Sequence, residues 1–380
     1  MGRAVGCGSV VLMADFKPLR IVHTEAATSF GGQEYRIFKE MVAMRDRGHY
    51  LEAICQPDAE LTVRLREAGF VVHTMFMDGI VNILSGIFKI RKILKRGRFD
   101  VVNTHSRQDT IIAAPAGRLA GTPLIVRTRH LSSKVNSLLT YTWLPHCVTT
   151  VSDYVRRHLI DRGVAPDRVE TIYSPLVFPP PVEHSTLRSE LGLEDSDIVV
   201  GCVAVMRPNK GHRDLIDAVA PLIQSHGNLH LVLVGGGSPT FENIREYIDQ
   251  LGLQKHIHMM GARKDVPNLL AGFDLFALAT REEASGTVFL EAAASAVPIV
   301  ATDVGGVSEV VRRDQNCLLV PKGDIQAMRA ALAKLIDDPV LRMKLGQAGS
   351  EMIWKEGAFS TRQMVERTEA VYGRWLRDRS

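Results

Sequence analysis

Apolar, strand-like runs alternate with helix-like segments along nearly the whole of this 380-residue chain, and the pattern begins again near its midpoint. The runs begin at Leu19, Tyr50, Val71, Phe99 and Leu124 in the first half and at Ile198, Leu229, His256, Phe273 and Pro298 in the second. Alternating strands and helices predict parallel, doubly wound sheets. The expected fold class is therefore α/β, with two Rossmann-like doubly wound domains facing each other across a cleft.

Three consecutive prolines, Pro179 to Pro181, mark the boundary between the halves. Proline lacks a backbone N–H and fixes φ, so a triproline does not fit inside a helix or a central strand. We predict a linker over residues 176–181, with domains over 19–175 and 182–358. Residues 1–18 are expected to form a disordered extension, and the first dozen residues lack the long apolar core of a secretory signal.

Composition narrows the classes of function. The net charge of +4 is too small to indicate nucleic-acid binding, and 46% hydrophobic content includes no uninterrupted apolar span of about 18 residues that could cross a membrane. The five cysteines are odd in number and mostly embedded in apolar runs: Cys7, Cys55, Cys147, Cys202 and Cys317. Buried thiols in a reducing cytosol fit this pattern better than disulfides or a metal site.

Two carboxylates, Glu283 and Glu291, stand out in the second half. The stretch follows an apolar run and passes through Gly286 and Thr287 into an alanine-rich helix. In doubly wound sheets ligands bind beyond the carboxyl ends of strands, and the free amides of a helix start favour anions such as a diphosphate. Both carboxylates could face one bound molecule. Alternatively, Glu291 lies on a helix surface and Glu283 belongs to the solvated run 281–283.

Two other loops have features of a phosphate site. Gly31 and Gly32 follow the first strand and lead into a helix, and adjacent glycines allow a phosphate or sugar to approach the backbone closely. Arg207 and Lys210 follow the first strand of the second half, where two cations suit a diphosphate leaving group. A lone Gly-Gly turn is more often structural, however, and surface loops also carry Arg and Lys for solubility.

Two histidines and one arginine complete the candidate site. His105 and His130 come just past two strands, and this position at neighbouring strand ends favours a functional role over simple packing. Arg263 could reach a nucleobase edge, and Asp265 is expected to cap the following helix.

Residues 80–98 have the pattern of a basic amphipathic helix. Its apolar and basic residues are Ile83, Leu84, Ile87, Ile90, Ile93 and Leu94, and Lys89, Arg91, Lys92, Lys95, Arg96 and Arg98. Such a helix can lie on an anionic membrane surface, where each basic residue contributes about 1 kcal/mol. The pattern favours the alternative, a crossover helix with its apolar face on the sheet and a solvated basic face.

In their order and spacing, these motifs resemble the retaining, nucleotide-sugar-dependent glycosyltransferases of the GT-B fold, the group 1 or family 4 glycosyltransferases of bacterial envelope synthesis. The resemblance covers nearly the whole chain from Leu19. It is carried by Gly31-Gly32-Gln33-Glu34, His130, Arg207 to Gly211, Glu283 to Glu291 and residues 298–309. The family often has Glu-Gly-Phe-Gly where this chain has Glu-Ala-Ser-Gly at residues 283–286.

The resemblance implies roles for the residues on the reacting sugar and the diphosphate. The catalytic set would be His130, Glu283, Arg207 and Lys210. In this set, His130 and Glu283 would contact the transferred sugar, while Arg207 and Lys210 would neutralise the departing diphosphate.

The remaining candidates would bind the rest of the donor or the acceptor. The donor-binding set would be Gly31, Gly32, Arg263, Gly286, Thr287 and Glu291, with Glu291 on the ribose and Arg263 near the base. His105 is predicted on the acceptor side. The chain end, residues 359–380, resembles a terminal helix that packs back on the first domain.

The predicted activity is retaining, hexosyltransferase-type transfer of a sugar from a nucleoside diphosphate donor to a glycan or lipid-linked acceptor in lipopolysaccharide or other envelope polysaccharide synthesis. No cofactor and no metal are expected, and UDP is expected over GDP. The protein would be cytoplasmic, and residues 80–98 are the candidate for peripheral contact with the inner face of the plasma membrane, beside the favoured crossover-helix alternative. Two alternatives remain: a nucleotide-sugar epimerase of the same fold and a non-catalytic binding subunit. The sequence leaves the sugar, the linkage and the oligomeric state open.

Overall fold

The computed structural model describes residues 17–135, 137–180 and 182–379 of the chain. Most of the predicted extension and Pro181 of the predicted linker lie outside these residues. The described chain forms two parallel sheets, one of seven strands and one of six. Helices alternate with the strands, which confirms the predicted fold class of two doubly wound α/β units.

The first sheet and its helices come from the first half of the chain. In order, they are β1 Arg20–Glu25, α1 Gly32–Asp46, β2 Tyr50–Cys55, α2 Glu60–Glu67, β3 Val71–Thr74, α3 Ile80–Gly97, β4 Val101–Thr104, α4 Arg107–Ala120, β5 Leu124–Arg129, α5 Leu139–Thr142, β6 Cys147–Thr150, α6 Asp153–Asp161 and β7 Val169–Thr171. A 3-10 turn, Pro166–Arg168, precedes β7. Ser152 caps α6 by accepting a hydrogen bond from the Val155 N–H, as a serine before a helix commonly does.

The second sheet repeats the plan, and three further helices follow it. In order, the elements are α7 Leu187–Leu191, β8 Ile198–Val203, α8 His212–Ser225, β9 Leu229–Val234, α9 Thr240–Leu251, β10 Ile257–Gly261, α10 Val266–Ala271, β11 Leu275–Leu278, α11 Thr287–Ala294, β12 Ile299–Thr302, α12 Val307–Val310, β13 Cys317–Val320, α13 Ile325–Asp337, α14 Pro339–Ser350 and α15 Thr361–Arg377. A 3-10 turn, Pro208–Lys210, lies between β8 and α8, and a π-helical turn, Glu351–Lys355, follows α14.

Strand order places a crevice in the middle of each sheet. The first sheet has the order β3-β2-β1-β4-β5-β6-β7, and the second has the order β10-β9-β8-β11-β12-β13. The order reverses between β1 and β4 and again between β8 and β11, and the loops that leave the carboxyl ends of such strands diverge. Ligands of doubly wound proteins bind in the crevice formed there.

The last helix, α15, belongs to the core of the first sheet. Met364, Val365, Val371, Tyr372 and Trp375 are buried against residues of β1, β2 and α1. The Tyr372 hydroxyl also accepts a hydrogen bond from Asn103 Nδ2 at 3.0 Å. The chain therefore returns to the first sheet after completing the second, and it passes beside the connection that follows β7, where Leu176 N–H donates to Phe359 O at 2.8 Å.

Candidate functional site

A cavity of about 340 Å³ lies between the two sheets, at the carboxyl ends of their central strands. The first unit contributes the start of α1, the residues after β5 and Ser174; the second contributes the ends of β8 and β11, the 3-10 turn and the start of α11. Of the predicted site residues, those that line it are Gly32, His130, Lys210, Glu283, Gly286 and Thr287. The structure therefore brings together residues from four separate motifs.

The glycine loop before α1 presents free helix amides to the cavity. Gly31 is the N-cap residue, and its N–H donates to the Glu34 carboxylate at 2.7 Å, which holds the loop against the helix start. Gln33 donates to Glu25 Oε2 at 2.5 Å. Burial, together with the nearby charge of Asp109, raises the pKa of Glu25 to about 8. A Cβ at Gly32 would meet nothing within 4 Å, so the cavity side of this residue is open.

Lys210 and Glu283 form an ion pair inside the cavity wall. Their Nζ and Oε2 atoms are 2.6 Å apart, and the two side chains are 22% and 12% exposed. Glu283 therefore does not belong to a solvated run. Gly211 brings the 3-10 turn close to β11, since a Cβ at Gly211 would lie 1.9 Å from Ala279 O. That approach requires glycine, and its φ of +68° is also in the left-handed region.

The Glu283 loop is held from behind by a second glycine pair. Gly306 N–H donates to Glu283 O at 3.1 Å. Gly305 has a φ of +59°, and a Cβ there would lie 1.9 Å from Glu283 O, while a Cβ at Gly306 would lie 2.3 Å from Ala284 O. The position of the Glu283 carboxylate thus depends on backbone contact with residues 305–306.

Substitution of Gly305 by alanine is expected to displace this loop. The left-handed φ and the clash together predict a loss of about 2–4 kcal/mol in the free energy of unfolding. If Glu283 has a catalytic role, its misplacement by about 1 Å predicts a fall of about 100-fold in the catalytic rate. Gly323→Ala is the matched control, because Gly323 has a φ of +74° but open space around its Cβ position. Equal activity of the two variants would contradict the role given to Gly305.

Helix α11 directs a second set of free amides at the same cavity. Its N-cap residue, Gly286, has a φ of +75°, and a Cβ there would meet the Phe289 ring at 2.7 Å. Thr287 is the first helical residue. Because the starts of α1 and α11 both line the cavity, the partial positive charges of two helix dipoles meet there. An anion with two charged groups, such as a diphosphate, is the ligand that this arrangement favours.

Glu291 lies one helical turn beyond the cavity lining. It is partly buried, and desolvation raises the pKa of its carboxyl to about 7, although the Lys39 ammonium opposes that rise. Lys39 lies on α1, so Glu291 of the second unit faces a helix of the first. Burial likewise lowers the pKa of Lys39 to about 8. A carboxylate at this place would accept hydrogen bonds from neutral hydroxyl groups of a ligand that extends past the start of α11.

The two predicted histidines are in direct contact. His105 Nδ1 and His130 Nε2 are 2.9 Å apart, and His105 Nε2 is 2.9 Å from Nδ1 of a third histidine, His23. Burial lowers the pKa of all three imidazoles, most strongly for His105 and His130. Only His130 lines the cavity. His105, predicted on the acceptor side, is 3% exposed and lies behind His130.

The two predicted arginines are in different environments. Arg207 is exposed at the edge of the site, and its side chain forms no hydrogen bond or ion pair with any residue that the structure describes. Arg263 is held by Glu190 at 2.9 Å and by Asp265 at 2.6 Å and does not line the cavity. Asp265 occupies the N-cap position of α10, but it makes no capping hydrogen bond because its carboxylate binds Arg263 and Asn268.

Contacts across the cleft involve residues that the sequence patterns did not single out. Ser132 Oγ donates to Glu282 Oε1 at 3.0 Å. The Glu309 carboxylate accepts from the N–H groups of Asp153 at 2.7 Å and Tyr154 at 2.6 Å, so it caps α6 from the opposite unit. Ser152 caps α6 from within the local sequence, but no local pattern indicates that a distant glutamate completes the cap.

Two families of proteins match the two halves of the chain. Residues 30–176 match the family "Glycosyltransferase Family 4", and residues 183–352 match the family "Glycosyl transferases group 1". Among individual relatives, the chain is 24% identical to the Escherichia coli UDP-Gal:alpha-D-GlcNAc-diphosphoundecaprenol alpha-1,3-galactosyltransferase, over 93% of this chain and 96% of that enzyme. It is 30% identical to the Rhizobium meliloti lipopolysaccharide core biosynthesis mannosyltransferase LpsB, over 53% and 58% of the two chains.

Solved structures show the same fold at lower sequence identity. A glycosyltransferase from Rickettsia africae superposes with a TM-score of 0.85 at 20% identity, over 96% of this chain and all of that one. Anabaena Alr3699/HepE in complex with UDP superposes with a TM-score of 0.81 at 21% identity, over 93% of this chain and all of that one. With both halves matched and the fold shared, this chain belongs to the group 1, family 4 glycosyltransferases, retaining enzymes of GT-B fold that use a nucleotide-sugar donor.

Proposed function

We propose that this enzyme transfers a sugar from a UDP-sugar to a hydroxyl of a lipid-linked glycan acceptor in envelope polysaccharide synthesis. The observation that carries the donor half of this proposal is the interdomain cavity, where two helix starts and the Lys210 ammonium meet beside Glu283. The cavity offers positive potential for a diphosphate and a carboxylate for sugar hydroxyls in one place.

Donor binding would rearrange the ion pair of the free enzyme. Lys210 is neutralised by Glu283 in the structure. A diphosphate at the starts of α1 and α11 would draw Lys210 toward itself and free the Glu283 carboxylate to accept hydrogen bonds from the sugar. Arg207, which has no partner among the described side chains, can swing to the same diphosphate as a bidentate donor. Glu291 would then accept hydrogen bonds from the ribose.

The proposed reaction keeps the configuration of the sugar. The bond from sugar C1 to the diphosphate oxygen breaks, the acceptor oxygen bonds to C1 from the same face, and the acceptor proton passes to the departing phosphate oxygen. Lys210 and the helix amides stabilise the charge that grows on that oxygen, which is where electrostatic catalysis has its largest effect. The contacts that bridge the cleft, Ser132 to Glu282 and Glu309 to α6, would help exclude water and favour transfer over hydrolysis.

UDP is proposed over GDP from the relatives. The Anabaena structure contains UDP, and the E. coli relative is named for a UDP-Gal donor and a diphosphoundecaprenol-linked acceptor. Arg263 would have to leave its ion pairs with Glu190 and Asp265 to reach the base, because these pairs hold its side chain outside the cavity in the free enzyme.

The proposed acceptor and membrane contact rest on the outer face of α3. The inner face packs on the sheet and on α4, so α3 is a crossover helix, with Gly86, Ile90 and Leu94 buried. That interpretation does not explain the outer face of its first three turns, because large apolar side chains are exposed there: Ile80, Val81, Leu84 and Phe88, at 57–79%. Basic residues continue the same face toward the end of the helix: Arg91, Lys92 and Lys95.

This apolar stripe lies at the cleft edge of the first sheet. The loop that leads into α3 is tied to the neighbouring loops, since Gln108 Nε2 donates to Met77 O at 2.6 Å and Gln56 Nε2 donates to Asp78 Oδ2 at 3.3 Å. An apolar surface followed by basic residues suits insertion at an anionic bilayer. We place the lipid part of the acceptor there. No helix in the described chain has the length and apolar character needed to span a bilayer.

Removal of the stripe is expected to weaken binding to anionic vesicles. Each inserted apolar side chain contributes about 1.5–3 kcal/mol, so the triple variant Ile80→Ser, Leu84→Ser, Phe88→Ser should lower the partition coefficient about 1000-fold or more. Replacement of Lys89, Lys92, Lys95 and Arg96 by glutamate should also weaken binding, and this loss should shrink as salt is added, whereas the loss in the serine variant should not. Val340→Ser with Met343→Ser, exposed on α14, is the control. Equal sedimentation of all variants with the vesicles would contradict membrane contact.

A nucleotide screen tests the donor assignment. We expect UDP to raise the melting temperature more than GDP, CDP or ADP, because ligand binding to the folded state stabilises it by mass action. Mass spectrometry of reactions with UDP-sugars and a membrane lipid extract should then show a lipid product one sugar heavier. A stronger shift with GDP would overturn the choice of base, and an epimerised donor with no lipid product would overturn the transfer reaction.

A further inference from the structure

His23, His105 and His130 form a hydrogen-bonded row that ends at the cavity. His23 lies within β1, and the other two follow directly after β4 and β5, the next two strands along the sheet. The N···N distance is 2.9 Å at both steps. Exposure is 2% for His23, 3% for His105 and 9% for His130, so only the last member can meet a ligand.

The number of protons in the row restricts the tautomers. A neutral imidazole has one N–H and one lone pair. His105 uses both nitrogens within the row, so when it donates to His130 it must accept from His23, and when it accepts from His130 it must donate to His23. The three rings therefore have only two arrangements, and in each one all three N–H groups point the same way along the row.

The surroundings hold the row in place. The ring planes of His23 and His105 are only 10° apart, with centroids separated by 5.2 Å. The His105 backbone N–H donates to Asp109 Oδ2 at 2.9 Å, and Thr24 Oγ1 donates to the same oxygen at 2.6 Å. Burial lowers the pKa of each imidazole, which keeps the rings neutral. The free nitrogen of His130, Nδ1, has no partner among the described residues.

We propose that His105 and His23 are positioning residues for sugar transfer, which hold the His130 ring in one orientation and tie its tautomer to theirs, so that the row sets whether Nδ1 of His130 donates to or accepts from the transferred sugar. The proposal rests on the placement of the donor sugar beside His130 in the proposed function. It assigns His105 a place behind the donor site, in contrast to the predicted acceptor-side role. His105 touches no substrate and acts only through His130.

A double-mutant cycle tests this indirect action. His105→Phe removes both hydrogen bonds and keeps a flat ring, and we expect kcat to fall about tenfold, the equivalent of one lost hydrogen bond, with UDP affinity unchanged. His105→Gln can still donate and accept and should restore part of the rate. In a His130→Phe background, His105→Phe should have no further effect. The proposal would be overturned if the fall in kcat of the double variant equalled the product of the two single falls, or if His105→Phe also lost UDP affinity.

The tautomers can be read without any sugar transfer. In the wild-type enzyme labelled with ¹⁵N-histidine, we expect His23, His105 and His130 to show the same neutral tautomer, and in His105→Phe we expect the tautomers of His23 and His130 to differ or to vary independently. Different tautomers at His23 and His130 in the wild-type enzyme would overturn the proposal. Because this measurement needs no substrate, a failure of the row is distinguishable from a failure of the proposed donor or acceptor.

Discussion

Replacing Lys210 with methionine is expected to lower kcat for sugar transfer about 10³-fold, because the ammonium would stabilise charge that develops on the diphosphate only as the bond to the sugar breaks. Methionine keeps most of the length of the lysine side chain, so the 3-10 turn at Pro208–Lys210 should stay in place. The affinity for UDP should fall much less than kcat. Lys334→Met, on the exposed face of α13, is the matched control for loss of one positive charge.

Glu283→Gln should separate the two halves of the ion pair. In the free enzyme the Glu283 carboxylate is 2.6 Å from Lys210 and competes with a diphosphate for it. Removal of that carboxylate charge should leave UDP affinity equal or stronger, whereas transfer should fall because the sugar hydroxyls lose their acceptor. UDP affinity is thus expected to fall in Lys210→Met but not in Glu283→Gln. A kcat for Lys210→Met within tenfold of the wild-type value would contradict the proposed charge stabilisation.

Much of the donor site could be predicted from the chain because local sequence determines where strands end. Gly31 with Gly32, Arg207 with Lys210, and Glu283 each follow an apolar run, and parallel strands bring their carboxyl ends to one edge of the sheet. The reversal of strand order then places β8 beside β11, which is why Lys210 and Glu283, distant in sequence, form an ion pair.

What could not be predicted depends on contacts between distant segments. His23 lies inside β1, where a buried strand shows no sequence signal for which side chains face a neighbouring strand. The ion pair of Arg263 with Glu190 joins α7 to the loop after β10, and the Glu309 cap joins the two units. Strands β7 and β13 are also absent from the predicted elements, and the three residues of β7 are too few for a periodic pattern.

Glu291→Gln is expected to weaken UDP binding and to remove a pH dependence from it. Burial raises the pKa of Glu291 to about 7 in the free enzyme, and ribose hydroxyls would bind the ionised carboxylate more strongly than the neutral acid. The affinity of the wild-type enzyme for UDP should therefore increase about tenfold from pH 6 to pH 8 and then level off. The phosphate of UDP also titrates near pH 6. The quantity to compare is therefore the difference in UDP affinity between the wild-type enzyme and the Glu291→Gln variant at each pH.

The same substitution should raise thermal stability above neutral pH while it lowers affinity. The pKa of Glu291 is higher in the folded protein than the ordinary value of 4.5. Its stabilising contribution is therefore fully present below about pH 4.5 and is lost as the pH rises through about 7, when the buried carboxyl must ionise. Glutamine stays neutral, so Glu291→Gln should melt at a higher temperature than the wild-type enzyme at pH 8 and at a similar temperature at pH 5. Glu246→Gln, exposed on α9, should change neither property, and a Glu291→Gln variant with unchanged UDP affinity at pH 8 would remove Glu291 from the donor site.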